Sequence, residues 1–416
     1  MATLGLADNP ITPLSHKLRS IYLLGPAFVA GVAYLDPGNV ATNLTAGGKY
    51  GYLLLWVIVA ANLSAWLVQY LSAKFGIVSG KSIPQIMGET ITNPYIKFLY
   101  WAQAQLVAIA TDVAEIIGGA IALHLLFNLP LLAGAVATGI FSILHLAVKE
   151  SGKAKLFELI VLMLIAITAI GFTSGLFVAP VDSSQMLQGF IPGFQGKESL
   201  LIAVSIFGAT IMPHAIYAHS ALCRDRAYHR LSEGGKKRVI TATRWDVSLA
   251  MLVAGLVNIG IFLIGAVNLF GHHVDDSIIG AHQAIRESLG ANIAIMFAVG
   301  LLASGIASSS VGTYASGVIS SGLLNFKLSI FNQRAIALIP ALIVIQVASN
   351  PTMALVFSQV VLSIGIPFAL FPLIYLTSKK AIMGSFVNSK RTQAVGYLLA
   401  ILLTGLNLTM IALLLA

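Results

Sequence analysis

The first residues with usable chemistry lie in an apolar stretch, 21–47, that is long enough to cross a bilayer. Asp36, Pro37, Gly38 and Asn39 stand at its centre. Pro37 removes a main-chain donor and clashes with the preceding turn, so the helix is predicted to break there. Freed main chain at membrane depth needs protein or a water-filled cavity around it. Asp36 is ionisable at the same depth, which makes the break a candidate for half of an ion site.

A second interruption, Met212-Pro213-His214, falls in the apolar span that begins near residue 200. The first break offers carboxylate and amide oxygens, and the second adds a thioether sulfur. The alternative interpretation is two unrelated proline kinks, because a single kink is common in membrane helices. Paired interrupted helices at matching positions are instead the sequence pattern of a transporter site at the membrane midplane.

The predicted ligand set is therefore Asp36, Asn39 and Met212, together with main-chain carbonyls freed near Ala33 and Ala209. Oxygen ligands alone suit Mg²⁺ or Ca²⁺. A sulfur ligand shifts the preference toward Mn²⁺, Fe²⁺ and the later transition metals. Met212 is thus the most discriminating residue, although a gap-filling core methionine is the alternative interpretation.

Two carboxylates lie close together in another apolar span. Asp112 and Glu115 are three residues apart, so they share one helix face. Carboxylates inside a membrane are costly and face the interior of a bundle. We interpret the pair as a proton relay. A structural ion pair with Arg334 is the alternative, and both roles are compatible.

Other buried polar residues have weaker signals. His214 is interpreted as a proton carrier or gate because histidine titrates near neutral pH, with a hydrogen-bonded core histidine as the alternative. For His219 the core interpretation is favoured. Gln359 is a further candidate metal contact. Asn258 and the small-residue run 304–313 are interpreted as helix packing.

The composition indicates the class of protein. The chain has 416 residues, of which 57% are hydrophobic and only 9% charged, and its mean hydropathy is +0.90. A soluble domain has about 25% charged residues. An all-α polytopic membrane protein is therefore predicted. A single cysteine excludes an intramolecular disulfide framework and a cysteine metal cluster.

The apolar pattern predicts eleven transmembrane helices after a polar tail, 1–20. A cleaved leader is not expected, because the apolar pattern resumes after the first break. The predicted spans, numbered 1 to 11, are 21–47, 52–75, 96–123, 129–148, 156–178, one from about 200 to the charged loop 223–244, 246–270, 291–321, 333–348, 352–377 and 394–415.

The charge distribution fits these spans. With the N-terminus inside, all but three of the 24 Lys and Arg residues fall in cytoplasmic segments; the exceptions are Lys49, Lys197 and Arg286. The net charge of +9 is therefore an orientation signal and not a nucleic-acid surface. The C-terminus is predicted outside. The external segment 272–276, with two histidines and two aspartates, is expected to be a solvated loop.

The two breaks stand five spans apart. Because five is odd, spans 1 and 6 enter the membrane from opposite sides. This predicts a 5+5 inverted repeat, about 21–178 and about 200–377, with 394–415 as one extra helix.

Several motifs then resemble one known family over nearly the whole chain. The motifs are DPGN at 36–39, GATIMPH at 208–214, TDVAE at 111–115 and FVNSKR at 386–391. They are similar to those of the Nramp divalent metal transporters of bacteria.

The resemblance implies a LeuT-like fold with discontinuous helices 1 and 6, and proton-coupled import of Mn²⁺ and Fe²⁺, with Cd²⁺ and Co²⁺ as further substrates. It implies no cofactor, no enzymatic activity and a location in the bacterial inner membrane. It also implies that Gln359 joins the metal in some states and that Arg334 and His214 act with the carboxylates in proton passage. Related members often have Glu at the position of Gln105, which puts a proton step there in doubt.

Three other functions remain open. They are a sodium-coupled amino-acid transporter of the same fold, a Mg²⁺ carrier, and a metal-sensing or structural membrane protein. Asp36 beside the break argues against the first, because that site must receive a substrate carboxylate. The thioether of Met212 argues against the second.

Overall fold

The structure is a computed structural model that describes residues 26–152, 154–177, 181–271, 277–327, 329–348 and 350–415. All regular elements in these ranges are helical. The α-helices are Pro26–Gly31, Pro37–Tyr50, Leu55–Ser79, Ile83–Thr90, Pro94–Phe127, Leu131–Glu150, Ala154–Thr173, Ser183–Gln188, Gly196–Thr210, Pro213–Asp225, Glu233–Asn268, Ile278–Ser288, Ala291–Leu324, Ile330–Val347, Pro351–Ser378, Lys380–Met383 and Lys390–Leu415. Short 3₁₀ turns lie at Val32–Leu35, Ser174–Phe177, Tyr228–Arg230 and Gly384–Phe386.

Among the described residues, nine helical segments are long and apolar enough to cross a membrane. They correspond to predicted spans 2 to 8, 10 and 11. Spans 1 and 9 contain the shorter apolar helices Pro26–Leu35 and Phe331–Val347. The predicted all-α membrane architecture is therefore confirmed, while the count of eleven stays a prediction. The predicted tail, 1–20, and the loop 272–276 lie outside the described residues.

Spans 3 and 6 form the centre of the bundle. In each of them, 83% of an 18-residue apolar stretch is buried, against 28% in span 11. The exposed side chains of the outer helices are large and apolar, as in Leu398, Ile401 and Leu402 of span 11. A lipid-facing surface has this composition, since lipid tails are as apolar as leucine. The buried polar residues therefore collect around spans 3 and 6.

The charged loop 223–244 differs from its prediction. The helix of span 7 begins at Glu233, well before residue 246. The hydroxyl of Ser232 accepts a hydrogen bond from the main-chain N–H of Gly235 and so caps this helix. Hydropathy reports where a helix is apolar, and it does not report how far the helix continues outside the membrane. The polar segments 179–199 and 271–290, which connect spans 5 to 6 and 7 to 8, contain the short helices Ser183–Gln188 and Ile278–Ser288.

The second half of span 1 packs against span 7 at main-chain distance. A Cβ added to Gly47 would lie 2.2 Å from the carbonyl oxygen of Phe262, and one added to Gly265 would lie 2.5 Å from that of Leu44. Small residues at a helix interface allow main chains to approach this closely, and here each helix has a glycine at the contact. The contact holds Pro37–Tyr50 in place, and that helix carries Asn39.

We expect Gly47→Ala to lower the free energy of unfolding by about 1–3 kcal/mol, because the new methyl group meets rigid main chain. Gly405→Ala is the matched control, since no atom lies within 4 Å of a Cβ at Gly405. It should be neutral or stabilise by up to about 1 kcal/mol, because alanine favours helix. The midpoint of thermal unfolding in detergent measures both. Equal midpoints would contradict the close packing.

Candidate metal site and the buried charges beside it

The two interruptions have the same local structure. Asp36 and Met212 are both extended N-cap residues, with ψ of 163° and 120°. Each is followed by a proline at the first position of the next helix. Proline suits that position, because its fixed φ is helical and the N–H that it lacks would have no helical partner. The prediction that Pro37 breaks the helix at 36–39 is thereby corrected: the turn 32–36 is the interruption, and Pro37 begins the second half-helix.

The first half-helix of each span ends before the proline, so carbonyls in its last turn have no helical donor. The carbonyl of residue i pairs with the N–H of residue i+4 in an α-helix. Ala33 stands four residues before Pro37, and Ala209 stands four residues before Pro213. The Ala209 carbonyl instead accepts a hydrogen bond of 2.7 Å from the side-chain amide of Asn39. This bond joins the two interruptions directly.

Asp36 and Asn39 are held in one arrangement. Asp36 Oδ1 accepts from both the main-chain N–H of Asn39 (2.8 Å) and its side-chain Nδ2 (2.7 Å). Both residues are fully buried. Within the described part of the chain, Asp36 Oδ2 and Asn39 Oδ1 have no hydrogen-bond partner. A buried carboxylate oxygen without a partner is costly unless it is paired or coordinates a metal. The arrangement thus offers two oxygens to a cation.

Met212 and Ala33 lie in one small apolar cluster. The other buried members are Val107, Ala215 and Leu362. Both breaks contribute to this cluster, and Met212 is fully buried. The cluster therefore brings a residue of each interruption into the same part of the core. Packing alone would also explain Met212, so the role of its sulfur stays a prediction.

Gln359 of span 10 lies against the first break. A Cβ added to Gly38 would lie 1.9 Å from Gln359 Nε2 and 2.9 Å from Asp36 Oδ2. The missing side chain of Gly38 is thus what allows the amide and the carboxylate to approach. Among the described residues, Gln359 Oε1 has no hydrogen-bond partner. The structure brings this residue to Asp36, as the sequence predicted for a further metal contact, but its role is not tested.

The remaining carbonyls of the first break have partners from spans 7 and 8. Asn258 Nδ2 donates to the Tyr34 carbonyl at 2.9 Å, and the hydroxyl of Ser304 donates to that of Leu35. The sequence predicted a helix-packing hydrogen bond for Asn258, which fits its bond to span 1, whereas Ser304 was predicted only to pack closely and its hydrogen bond was missed. The sequence does show that a polar residue lies in each of these apolar spans, but it does not show which main-chain group that residue bonds.

The carboxylate pair of span 3 faces spans 8 and 9. A Cβ added to Gly312 would lie 2.6 Å from Asp112 Oδ1 and 2.9 Å from Glu115 Oε2. Arg334 Nη1 lies 3.6 Å from Asp112 Oδ1, and Arg334 Nη2 donates to the Ser309 carbonyl at 2.9 Å. The side chains of Arg334 and Asp112 are both almost completely buried. The predicted ion pair is therefore present, and a relay role for Asp112 and Glu115 stays a prediction.

The histidines of span 6 have different surroundings. His214 Nδ1 lies 3.2 Å from the hydroxyl of Thr111, the residue before Asp112. His214 is also two residues after Met212, so it lies between the breaks and the carboxylates. His219 Nδ1 lies 2.6 Å from Gln69 Oε1, which fits the core interpretation.

Gln105 lies against span 8. Its Nε2 donates to the hydroxyl of Ser316, and its Oε1 accepts from that of Ser320. An amide here joins two helices. In the described ranges, no group of three or more His, Cys, Asp or Glu side chains has the geometry of a metal site. The candidate site differs from such a group because its further donors are amide, carbonyl and thioether.

The geometry can be compared with known proteins. The Nramp family profile, described as natural resistance-associated macrophage protein-like, matches residues 27–413. A divalent metal cation transporter MntH of Mycobacterium tuberculosis is 51% identical over 406 residues, which is 98% of this chain and 94% of that protein. A crystal structure of a mutant manganese transporter of Eremococcus coleocola matches with a TM-score of 0.84 at 30% identity, over 98% of this chain and 90% of that one.

A more distant structure shows the fold alone. MhsT in complex with L-phenylalanine matches with a TM-score of 0.60 at 14% identity, over 93% of this chain and 97% of that one. The helical architecture and the paired interrupted helices define a membrane transporter of the LeuT-like class. More narrowly, the chain belongs to the Nramp family. Its relatives are named as transporters, not as enzymes.

The buried ion pair is open to a mutational test. We expect Arg334→Gln to destabilise the protein by about 3–5 kcal/mol, because it leaves the Asp112 charge buried and unpaired. Adding Asp112→Asn should recover part of that loss, because it removes the orphaned charge. Arg286→Gln, at an exposed residue, is the control and should change stability by less than about 0.5 kcal/mol. Strictly additive losses in thermal unfolding would contradict a paired interaction.

Proposed function

We propose that this protein is a proton-coupled importer of divalent transition metal ions, chiefly Mn²⁺ and Fe²⁺, with Cd²⁺ and Co²⁺ as further substrates. Its family membership and the names of its relatives support transport of divalent metal cations. The observation that carries the site is the pair of buried oxygens without a hydrogen-bond partner, Asp36 Oδ2 and Asn39 Oδ1. The side-chain nitrogen of Asn39 donates to the Ala209 carbonyl of the second break and so holds this pair beside it. The ligand set consists of these oxygens, the main-chain carbonyls of Ala33 and Ala209, and the sulfur of Met212. Gln359 joins the metal in some states.

The mechanism that we propose is alternating access. A metal ion enters from outside, loses water and is bound between the two breaks. Ligands must be deprotonated, so Asp36 releases its proton as the metal binds. His214 and Thr111 lead from the breaks to Asp112 and Glu115, which receive the proton, and Arg334 balances their charge. The half-helices of spans 1 and 6 then tilt to open the other side.

We also propose the membrane arrangement that this mechanism needs. The protein lies in the bacterial inner membrane with 1–20 as a cytoplasmic tail and the C-terminus outside. The repeats are about 21–178 and about 200–377, and 394–415 is the extra helix. The positive-inside distribution of Lys and Arg supports the orientation.

A sodium-coupled amino-acid transporter of the same fold is the second candidate. Its site would have to receive a substrate carboxylate at the positive end of a half-helix. Here that end is capped by the carboxylate of Asp36, which accepts from the Asn39 N–H. The cap occupies the donors that such a substrate would need, so metal transport is favoured.

Uptake by proteoliposomes tests the main proposal. Mn²⁺ should accumulate faster when the exterior is more acidic than the interior, because the proton gradient then drives import. We expect Asp36→Asn to abolish uptake. Asp182→Asn is the control, because it makes the same change at an exposed acid. Uptake of Mn²⁺ at no pH would refute transport, and uptake insensitive to the pH gradient would refute proton coupling.

Replacing the sulfur tests the ligand set. Met212→Leu keeps the volume of the side chain and removes the thioether, so packing is largely retained. The preference for Mn²⁺ over Ca²⁺ in competition uptake should fall about tenfold, or ~1.4 kcal/mol. Met251→Leu is the control, since Met251 is equally buried in span 7. An unchanged preference would mean that Met212 only fills space, and a Mg²⁺ carrier would again need consideration.

A further inference from the structure

Span 10 contains two prolines inside one continuous helix, Pro351–Ser378. Pro367 and Pro372 each lack the N–H that would pair with the carbonyl four residues earlier. Those carbonyls belong to Ser363 and Phe368. In a membrane helix such carbonyls are satisfied by neighbouring helices, side chains or local changes in helix geometry. The partners therefore show what holds each part of span 10.

The first freed carbonyl is held by span 11. Asn407 Nδ2 donates to the Ser363 carbonyl at 2.9 Å, and the Ser363 hydroxyl donates to Asn407 Oδ1 at 2.6 Å. Both residues are buried. The side-chain amide of Asn407 thus has both of its atoms bonded to one residue of span 10. This replaces the missing N–H of Pro367 with a donor from another helix.

The second freed carbonyl is held by the centre of the bundle. The Tyr100 hydroxyl donates to the Phe368 carbonyl at 2.6 Å, and the Tyr217 hydroxyl lies 3.5 Å from the same oxygen. Tyr100 belongs to span 3 and Tyr217 to the second half of span 6. The two halves of span 10 are therefore anchored differently, one to the peripheral span 11 and one to the central spans.

Gln359 lies in the half that span 11 holds. It precedes Ser363 by four residues, so both side chains lie on one helix face, one turn apart. The main chain at Gln359 also lies against span 6, because a Cβ added to Gly208 would be 2.0 Å from the Gln359 carbonyl oxygen. A movement of the turn 359–363 would therefore change the position of the Gln359 amide relative to Asp36.

We propose that Asn407 is a positioning residue for the metal site: by bonding the Ser363 carbonyl that Pro367 frees, it holds the turn that carries Gln359 against Gly38 and Asp36. Span 11 lies outside the two predicted repeats, and this contact gives it a part in binding. The expected effect of Asn407 on metal affinity rests on the proposed function. The effect of Asn407 on the position of Gln359 does not rest on that function, so the two effects can be tested separately.

A labelling experiment tests the position of Gln359 without transport. The full chain with Cys223→Ser and Gln359→Cys has one cysteine, at the buried position 359. Adding Asn407→Leu should raise the rate of reaction with a membrane-permeant maleimide at least about threefold, from the loss of roughly one hydrogen bond. Thr404→Val is the control, because the Thr404 hydroxyl bonds only within its own helix, to Ala400. Equal labelling rates would overturn the proposal.

Mn²⁺ uptake by proteoliposomes tests the consequence for the site. Asn407→Leu should raise the KM about fivefold, the size expected for one lost neutral hydrogen bond. The effect should vanish in a Gln359→Ala background, whereas general destabilisation would lower uptake equally in both. Effects of equal size in the two backgrounds would overturn the positioning role. Wild-type protein that takes up no Mn²⁺ would refute the proposed function instead, and the labelling rates would still decide the role of Asn407.

Pro367→Ala provides a second test based on the same bond. It restores a helical N–H for the Ser363 carbonyl, so Asn407 is no longer needed as a donor. Pro367→Ala with Asn407→Leu should therefore label and transport more like the wild type than Asn407→Leu alone. It should also reach the membrane if Asn407→Leu alone does not. A double variant as impaired as Asn407→Leu would contradict the proposed reason for the effect.

Discussion

Two helices are interrupted at membrane depth, just before Pro37 and Pro213, and much of the bundle is arranged around the main-chain hydrogen bonds that are lost there. Each first half-helix ends before the proline that begins the second, so carbonyls in its last turn, among them that of Ala209, have no helical donor. Lipid cannot replace the donor inside the hydrocarbon region, so protein or a water-filled cavity must. Asn39 supplies it for Ala209, and the bond joins the two interruptions. The same loss that destabilises each helix therefore holds the pair together.

This constraint explains why polar residues occur where they do in apolar spans. Asn258 and Ser304 donate to main-chain carbonyls beside the first break. Asn407 donates to a carbonyl that a proline of span 10 frees. None of these contacts requires a charge. Each satisfies a buried carbonyl, which would destabilise the fold by about 1–3 kcal/mol if it had no hydrogen-bond partner. Asp36 Oδ2, Asn39 Oδ1 and Gln359 Oε1 differ from these acceptors, because they lie together at the first break and have no hydrogen-bond partner.

The buried charges follow a different rule. Asp112 and Glu115 both lie against Gly312, and Arg334 of span 9 forms an ion pair with Asp112. One cation beside two carboxylates gives a group whose net charge depends on a proton. The relay role that we propose for Asp112 and Glu115 rests on this unequal number of charges. His214 of span 6 lies within hydrogen-bond distance of Thr111, the residue before Asp112 in span 3.

Much of this protein was determined by its sequence. Apolar length and charge alternation predicted the membrane helices, and the two prolines marked the interruptions, because both signals are local. The extent of helices beyond the membrane was not predictable: span 7 begins at Glu233, where hydropathy has no signal. Only the tertiary structure decided which donor meets which freed carbonyl, and that Gly38 and Gly312 make room for their neighbours. These facts depend on helices far apart in the chain, and a pattern along one helix has no information about what packs against it.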